Sequence, residues 1–433
     1  MAKSEPKTNG QGRTTATEYR RPPSDVRLAT RLREFARDRL SDFPWSIEVT
    51  DWNGDAYQVG RNETHWYRGA LQVHLKTPAA GKTLISGNSM AFLEMFLAGS
   101  VMLSGNLYLL TQIKQHADFS LKPLQALYYV VRYGVFQNES RARVNVKSHY
   151  DVSQEALNVY LDKRYMSYSC AIFENPERLE PDQFLRVGQG EGDSFDSLEK
   201  AQWRKFKDAV DYIAPREGET LLDVGCGYGG QLAVALEQHP FGKVVGWTHS
   251  ANQVRDGLKM LAAFPAERWE LSEGDYREDC RVFDHVTSTG MVSHVGPRGL
   301  VPYVKNIRKR IRKGGRYVHH GLMFSYSPLP HDSDVALVFN KRYVWPGFHW
   351  FTVGTHVKAL EENGFQIKKM LNLSNHYAKT TASWYERMMD QRELMTEKMG
   401  EETFRAWQIF LAGVTEGFHT KTVHVFRIYA EAV

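Results

Sequence analysis

The glycine-rich stretch "DVGCGYGG" (223–230) carries the first residues suited to chemistry. It follows an apolar run and holds Asp223, Gly225 and Gly227 at a sharp predicted turn into a helix. Glycines at such a turn allow the backbone to approach a ligand closely. The spacing is not G-x-G-x-x-G, and no Lys-Ser/Thr pair follows to hold a phosphate. The pattern predicts a site for an adenosine-type ligand that lies across the strand ends.

Polar residues follow the next two predicted strands. "GWTHSANQ" supplies Thr248, Ser250 and Gln253 where a ribose would lie, although the acidic residue usual at that point is absent. "GDYRED" supplies Tyr276 and Arg277 where an adenine edge would be met. Each of these loop ends, taken alone, is equally consistent with solvated surface. Together with the glycine turn they indicate a nucleoside-binding edge.

A second glycine-bounded stretch, "GMVSHVG" (290–296), follows the predicted buried strand "FDHVTST". It places Ser293 and His294 side by side at the mouth of the same predicted sheet. The spacing alone leaves open what Ser293 does at this position, with His294 beside it.

The elements that must position these residues alternate between apolar strands and helices from about residue 146 to residue 433. This alternation predicts an α/β fold: a Rossmann-like, mostly parallel sheet with helices on both faces. "TVHVFRIYA" (422–430) is predicted to add a late strand to the sheet.

The upstream region predicts a smaller α+β domain over residues 24–111. It begins with a basic amphipathic helix (24–40) capped by Ser24 and continues with two strands around an Asn-Gly turn (45–60). "MAFLEMFLAGSVMLSGNLYLLT" (90–111) is too polar for a membrane span and is predicted to be a core helix. Residues 1–23 are predicted to be a disordered tail, and residues 112–145 a mostly helical linker.

Composition limits the classes of partner. The 433 residues carry a net charge of +5, which is too weak to argue for nucleic acid but suits an acidic substrate or an anionic membrane surface. Cys170, Cys226 and Cys280 have no metal-ligand spacing, so neither a metal site nor a disulfide framework is predicted. With no signal-peptide pattern at the start, we expect a cytoplasmic protein that meets the inner face of a membrane from its surface.

Three further segments, "HYDVSQEALNVYLDKRYMSYSCAIF" (149–173), "FDHVTSTGMVSHVG" and "NKRYVWPG" (340–347), make the chain resemble the cyclopropane-fatty-acid synthase family. The resemblance covers nearly the whole chain, including a lipid-carrier-like N-terminal domain. It implies an S-adenosylmethionine-dependent methyltransferase that acts on unsaturated acyl chains of intact phospholipids, and it implies a homodimer. The segment 174–197 is longer than the usual connection in this family and is a candidate lid.

The resemblance also implies roles for individual residues. Tyr168 and Ser169 of "YSC" become cofactor contacts, with the positions at the glycine turn and the strand ends. The family holds a bicarbonate ion in a cradle that includes a glutamate, and Cys170, His320 and Tyr377 match the other members of that cradle. Ser293 stands where the family has the glutamate.

The missing carboxylate leaves the product open. A serine anchors bicarbonate less well, so our hypothesis is a C-methyltransferase that makes a methyl- or methylene-branched chain. The first alternative is a cyclopropane synthase in which Ser293, His294 and water still hold bicarbonate as the base. The second is a lipid-binding homologue without catalysis, and a third is methylation of a small polar metabolite, which the lipid-carrier-like domain argues against.

Overall fold

The structure is a computed structural model that describes residues 22–116, 154–177, 196–325, 334–345 and 348–433. Residues 1–21 of the predicted tail (1–23), residues 117–145 of the predicted linker (112–145) and most of the 174–197 segment lie outside these described residues.

The N-terminal unit is a four-stranded sheet packed against helices. Its strands, in the order β2-β1-β3-β4, are β1 (Ile47–Thr50), β2 (Ala56–Val59), β3 (Leu71–Leu75) and β4 (Val101–Gly105). Its helices are α1 (Pro23–Leu40), α2 (Pro78–Ile85), α3 (Ser89–Leu97) and α4 (Leu109–His116). β1 pairs antiparallel with β2, as the Asn-Gly turn predicts, and parallel with β3. In β3, Leu71, Val73 and Leu75 alternate inward, which is the period of a strand with one buried face.

Two local predictions in this unit are wrong. Ser24 does not cap α1, because the helix begins one residue earlier, at Pro23, whose fixed φ suits the first helical turn; the Ser24 hydroxyl contacts Asp25 instead. The segment 90–111 is not one helix. α3 ends at Leu97, Gly99 turns the chain at φ +79°, and "VMLSG" pairs with β3 as strand β4.

The C-terminal unit is built on a larger sheet. Its strands are β5 (Thr220–Val224), β6 (Lys243–Thr248), β7 (Trp269–Glu273), β8 (His285–Thr289), β9 (Arg316–Phe324), β10 (Phe351–Thr352), β11 (Phe365–Asn372) and β12 (His424–Ala432). The order is β11-β12-β9-β8-β5-β6-β7, with the two-residue β10 beside β9. β12 runs antiparallel to both of its neighbours, and the other pairings are parallel. The predicted α/β class and the late strand are confirmed.

Helices cover this sheet on both faces. They are α5 (Gln154–Tyr160), α6 (Leu198–Ile213), α7 (Gly230–Gln238), α8 (Ala251–Leu261), α9 (Leu300–Lys309), α10 (Val335–Phe339), α11 (Val353–Glu361), α12 (Ser374–Asp390), α13 (Arg392–Met399) and α14 (Glu401–His419). Among the described residues, no helix is long and apolar enough to cross a membrane. Because β5 to β8 are parallel, their carboxyl ends share one edge, which is where open α/β sheets bind ligands.

Buried carboxylates join the two units. Glu416 on α14 accepts hydrogen bonds from Trp66 Nε1 (2.8 Å) and Gln112 Nε2 (2.5 Å). Glu386 on α12 accepts one from the Tyr108 hydroxyl at 3.2 Å. Since a buried carboxylate is costly unless its oxygens are satisfied, these contacts fix how the N-terminal unit sits on α12 and α14.

Candidate active site

The turn after β5 depends on glycines in the left-handed region. Gly225 has φ +76° and Gly227 has φ +57°, values that are strained for other residues. The Gly225 and Cys226 amides each donate to Trp247 O at 3.1 Å, which ties the turn to β6. A Cβ placed at Gly227 would meet nothing within 4 Å. The turn therefore presents bare backbone to an open space at the strand ends.

Asp223 lies just before this turn, in the body of β5. It is buried and accepts a hydrogen bond from Thr287 Oγ1 at 2.7 Å. Burial raises its pKa to about 7, while the Thr287 hydrogen bond and the Lys205 cation act in the opposite direction. Asp223 is thus a carboxyl group that titrates near neutral pH at the edge where a ligand would lie.

The structure brings the three predicted ribose contacts together after β6. The Thr248 hydroxyl donates to Gln253 Oε1 at 2.5 Å, and Ser250 Oγ accepts from the Gln253 amide at 3.3 Å. Ser250 is therefore the N-cap of α8, a role that the sequence analysis did not assign to it. The cap fixes the direction in which Thr248 and Gln253 face the strand ends.

Tyr276 and Arg277, the predicted adenine contacts, are both engaged by neighbouring side chains. Tyr276 is buried, with the Tyr303 ring edge-on at 6.4 Å. The Arg277 guanidinium binds both oxygens of Asp275 at 2.6–3.1 Å. Trp247, which the sequence analysis passed over, is half-buried at the end of β6, and its Nε1 donates to Asp279 Oδ2 at 3.1 Å.

The "YSC" segment is held in shape by one aspartate. The two carboxylate oxygens of Asp162 accept from the Tyr165 and Ser167 amides, each at 2.7 Å, around Met166 at φ +48°. Tyr168 then stacks on the Trp384 indole, with ring centroids 4.9 Å apart and planes inclined by 18°. This stack is one wall of an aromatic cluster that also includes Trp345 and Trp407, each 6.3 Å from Tyr168.

Cys170 and Tyr377 donate hydrogen bonds to the same carbonyl oxygen at the start of α12. The carbonyl oxygen of Leu373 accepts from the Cys170 thiol at 3.7 Å and from the Tyr377 amide at 2.9 Å. Burial raises the pKa of Cys170 to about 12, so the residue is a thiol and not a nucleophilic thiolate at neutral pH. The Tyr377 ring stacks on Phe418 at 4.6 Å, inside the core.

Ser293 lies in the short 3₁₀ turn Met291–His294 after β8. It is 2% exposed, and its hydroxyl has no hydrogen-bond partner among the described residues. Its backbone carbonyl accepts from the His349 amide at 3.0 Å. The neighbouring His294 ring meets the Trp345 indole edge-on at 5.9 Å, and burial lowers its pKa to about 4. The Ser293 hydroxyl is therefore free to bond a ligand at this turn.

His320 joins this turn to the rest of the site. Its carbonyl oxygen accepts from the Gly290 amide at 2.9 Å, so β9 and the Ser293 turn are held together. Its ring Nδ1 accepts from Arg427 Nε at 3.3 Å. Burial, with the Arg427 and Lys205 cations, lowers the pKa of His320 well below its usual value.

Lys205 and Arg427 are the site residues that the sequence analysis missed. Both side chains are fully buried. Lys205 lies on the core face of the amphipathic helix α6, and Arg427 interrupts the apolar strand "VHVFRIYA". The sequence did offer one signal for both residues, namely a Lys or Arg at a position where the pattern predicts a core side chain. Such residues are rarely fully buried unless they are paired.

Among the described residues, no cluster of three or more His, Cys, Asp or Glu side chains is arranged to hold a metal ion.

The fold and the glycine edge define the class of S-adenosylmethionine-dependent methyltransferases. The mycolic acid cyclopropane synthetase family matches residues 137–428. A probable fatty acid methyltransferase from Pseudomonas putida is 30% identical over 66% of this chain and 68% of its own length. The probable fatty acid methyltransferase Rv3720 from Mycobacterium tuberculosis is 26% identical over 69% of this chain and 65% of its own length. The chain thus spans about two thirds of the length of these relatives.

Solved structures agree on the fold. The mycolic acid cyclopropane synthase CmaA1, complexed with SAH and CTAB, has a TM-score of 0.59 at 23% identity and covers 67% of this chain and 98% of its own. The cyclopropane synthase MmaA2 from Mycobacterium tuberculosis has a TM-score of 0.58 at 22% identity, over 69% of this chain and 100% of its own.

The chain belongs to the mycolic acid cyclopropane synthetase family, and the predicted family is confirmed. It is a methyltransferase enzyme with S-adenosylmethionine as cofactor. The residues at the strand ends fit that cofactor, since bare glycine backbone and a cluster of hydroxyl and amide groups stand where a nucleoside would lie. The family match begins at residue 137, so the N-terminal unit over 22–116 lies outside it.

Proposed function

We propose that the enzyme methylates the double bond of an unsaturated fatty acyl chain of a phospholipid and releases a methyl- or methylene-branched chain. The proposal of an acyl substrate rests on a large apolar cavity between the N-terminal sheet and α14. Its volume is about 690 Å³, within the range of small-molecule sites. Val49 and Val73 of the N-terminal sheet and Phe410 of α14 are among its walls, and Asp334 is the one charged residue among the described residues that line it.

Aromatic side chains connect this cavity with the reaction centre. Phe410 lines the cavity and lies 6.0 Å from the Trp345 ring. Trp345 in turn meets His294 and Tyr168, at 5.9 Å and 6.3 Å. A hydrocarbon chain in the cavity would contact Phe410, whose ring adjoins the aromatic cluster at the site, which supports a long apolar substrate over a small polar metabolite.

Methyl transfer to a double bond pairs an electrophilic methyl group with a weak alkene nucleophile. Bound S-adenosylmethionine supplies an electrophilic methyl group on a sulfonium. An isolated alkene is a weak nucleophile, so its double bond must be held in line in a dry pocket. The π electrons form the new bond to the methyl carbon, and a carbocation remains on the other alkene carbon. We propose that the aromatic cluster of Tyr168, Trp384 and Trp345 stabilises it, since a desolvated aromatic face contributes about 1–2 kcal/mol to a nearby cation.

The fate of that cation depends on where a proton leaves. Loss from the added methyl closes a ring. Loss from a carbon next to the cation restores an alkene and leaves a methyl branch, and a hydride shift before proton loss gives a methylene branch. The residues present do not fit a bicarbonate base well, because Ser293 replaces the carboxylate that the family resemblance expects. Losing a charged hydrogen bond weakens anchoring by about 1.5–3 kcal/mol.

Product analysis of a Ser293→Glu variant tests this proposal. Purified protein, a mono-unsaturated phospholipid and S-adenosylmethionine are incubated, and the fatty acid methyl esters are examined by mass spectrometry. We expect branched product from the parent and ring product from Ser293→Glu. Ser293→Gln, of matched size but without a carboxylate, is the control and should keep the branched product. If the glutamate variant makes the same product as the parent, residue 293 does not set the outcome.

The cyclopropane alternative corresponds to ring product from the parent itself. In that case Ser293 with His294 and water anchors a base without the carboxylate. The alternative of a non-catalytic lipid binder is set aside, because the family match makes the chain a methyltransferase.

We also propose that the enzyme works at the surface of an anionic membrane. All four arginines of the basic run at 305–316 bond within the protein, for example Arg310 to the Tyr276 carbonyl and Arg312 to Glu219. Three exposed lysines remain for phospholipid head groups: Lys305, Lys309 and Lys313. Co-sedimentation with phosphatidylglycerol vesicles, but not with phosphatidylcholine vesicles, is the expected result. The homodimer is likewise a prediction, which light scattering of the purified protein tests.

A further inference from the structure

Two fully buried cationic side chains, those of Lys205 and Arg427, lie next to the "YSC" segment. Lys205 Nζ donates to the hydroxyl oxygens of Ser167 and Ser169, the latter at 2.8 Å. No carboxylate among the described residues forms an ion pair with it. An ammonium group has only donors, so both serine oxygens accept from it. The two hydroxyl oxygens also lie 3.2 Å apart, so one serine hydrogen bonds the neighbouring hydroxyl and the other is left to donate to a ligand.

Arg427 adds a further unused donor. Its Nη1 donates to the Lys205 carbonyl (2.9 Å) and to Asp208 Oδ2 (2.6 Å), and its Nε donates to His320 Nδ1 (3.3 Å). Its Nη2 is buried without a hydrogen-bond partner among the described residues. A guanidinium N–H left unpaired in the interior costs free energy, which an anionic ligand would recover.

We infer that Lys205, Arg427 and the hydroxyls of Ser167 and Ser169 form a carboxylate-binding site. The nearby acidic side chains do not fill it. Asp162 is committed to the Tyr165 and Ser167 amides, and Asp208 is committed to Arg427 and Tyr429. The site lies between the "YSC" segment and β12, one residue from Tyr168 and one from Cys170.

Two sources could supply this carboxylate, namely the amino-acid end of the cofactor and a free small anion such as bicarbonate. Both present two oxygens in a plane, which suits one guanidinium donor and one hydroxyl donor. Binding experiments separate the two sources without reference to the reaction product, so their outcome is independent of the branched-chain proposal.

The first arm compares two ligands by calorimetry: S-adenosylhomocysteine, and 5′-methylthioadenosine, which lacks the amino-acid end. Lys205→Met and Ser169→Ala should weaken S-adenosylhomocysteine binding by about ten- to a hundredfold and leave 5′-methylthioadenosine unchanged. Lys207→Met, on the half-exposed side of the same helix, and Ser383→Ala, a buried serine that bonds within α12, are the matched controls. Ser169→Ala removes a single hydroxyl and serves if the lysine variant does not fold.

The second arm titrates sodium bicarbonate labelled with ¹³C into protein saturated with 5′-methylthioadenosine, with NMR as the readout. Loss of bicarbonate binding in Lys205→Met and Ser169→Ala, with unchanged S-adenosylhomocysteine affinity, would assign the site to the free anion. Unchanged affinity for both carboxylates in the folded variants would overturn the inference.

Discussion

Arg427 Nε donates a hydrogen bond to Nδ1 of His320, at 3.3 Å, across the β9–β12 pairing in which the two residues are direct partners. This contact fixes the ring tautomer, since Nδ1 must be the acceptor and Nε2 carries the hydrogen. His320 is therefore a neutral hydrogen-bond donor at the site and not a free base.

We predict that His320 stays neutral between about pH 5 and pH 8. Burial, and then the Arg427 and Lys205 cations, hold its pKa well below the usual value. ¹⁵N NMR of histidine-labelled protein should show the ring shifts of a neutral imidazole protonated at Nε2, unchanged across this range. The His320→Gln variant assigns the signal. A titration with its midpoint between pH 6 and 7 would contradict the tautomer assignment.

Cysteine labelling tests the state of Cys170. Burial raises the pKa of Cys170 to about 12 and that of Cys226 well above its usual value, whereas Cys280 is exposed. In the folded protein at pH 7.5, iodoacetamide should modify Cys280 and leave the other two unmodified, because the thiolate is the reacting species. Peptide mass mapping gives the readout, with denatured protein as the control. Rapid modification of Cys170 would show that it is accessible and ionised.

The N-terminal sheet should set the length of acyl chain that the enzyme accepts. Val73 of β3 lines the apolar cavity, and the next residue, His74, points to solvent. Val73→Phe fills cavity volume, so activity should fall for chains that extend furthest beyond the double bond and persist for shorter ones. His74→Phe is the matched control on the opposite face of the strand.

Rates are measured on a series of phospholipids with the double bond at a fixed position and an increasing number of carbons beyond it. If Val73→Phe and His74→Phe show the same dependence of rate on chain length, the N-terminal sheet does not line the substrate site.

Cofactor affinity should depend on pH through Lys205. Burial lowers the pKa of Lys205 to about 7, with Asp162 acting in the opposite direction and Arg427 in the same one. The ammonium is therefore present below pH 7 and lost above it, and a bound carboxylate favours the charged form. Asp223, whose pKa burial raises to about 7, adds negative charge over the same interval.

S-adenosylhomocysteine should accordingly bind more tightly at pH 6 than at pH 8.5, while 5′-methylthioadenosine shows little change. Lys205→Met should flatten the dependence. An affinity for S-adenosylhomocysteine that rises with pH would rule out the cation as the binding group.

The sequence predicts the parts of the site that rest on local patterns. The turn at Gly225 and Gly227, the strand ends at Thr248 and the position of Ser293 all follow from strand periodicity and glycine spacing, because parallel strands end at a common edge. The tertiary environment of a side chain does not follow from such patterns. The ligand contact of Tyr276 stays a prediction, and its edge-on packing with Tyr303 could not be read from the motif.

Long-range packing also explains what was missed. Lys205 and Arg427 lie 222 residues apart in the chain and meet only when α6 packs on β12. Neither belongs to a motif, and only their core position in an amphipathic helix and an apolar strand sets them apart. The strand β4 was missed because "VMLSG" acquires its conformation from pairing with β3, and its own apolar pattern is ambiguous between helix and strand.

The most direct test of the central claim uses S-adenosylmethionine with a fully deuterated methyl group and a mono-unsaturated phospholipid. The location of deuterium and the presence of an alkene in the product, read by NMR and mass spectrometry, report which proton left. Our account predicts a retained alkene, either with a methyl branch that keeps all its deuterium or with a methylene branch that has lost one deuteron. A saturated ring whose added carbon has lost one deuteron would contradict it and make the parent enzyme a cyclopropane synthase despite Ser293.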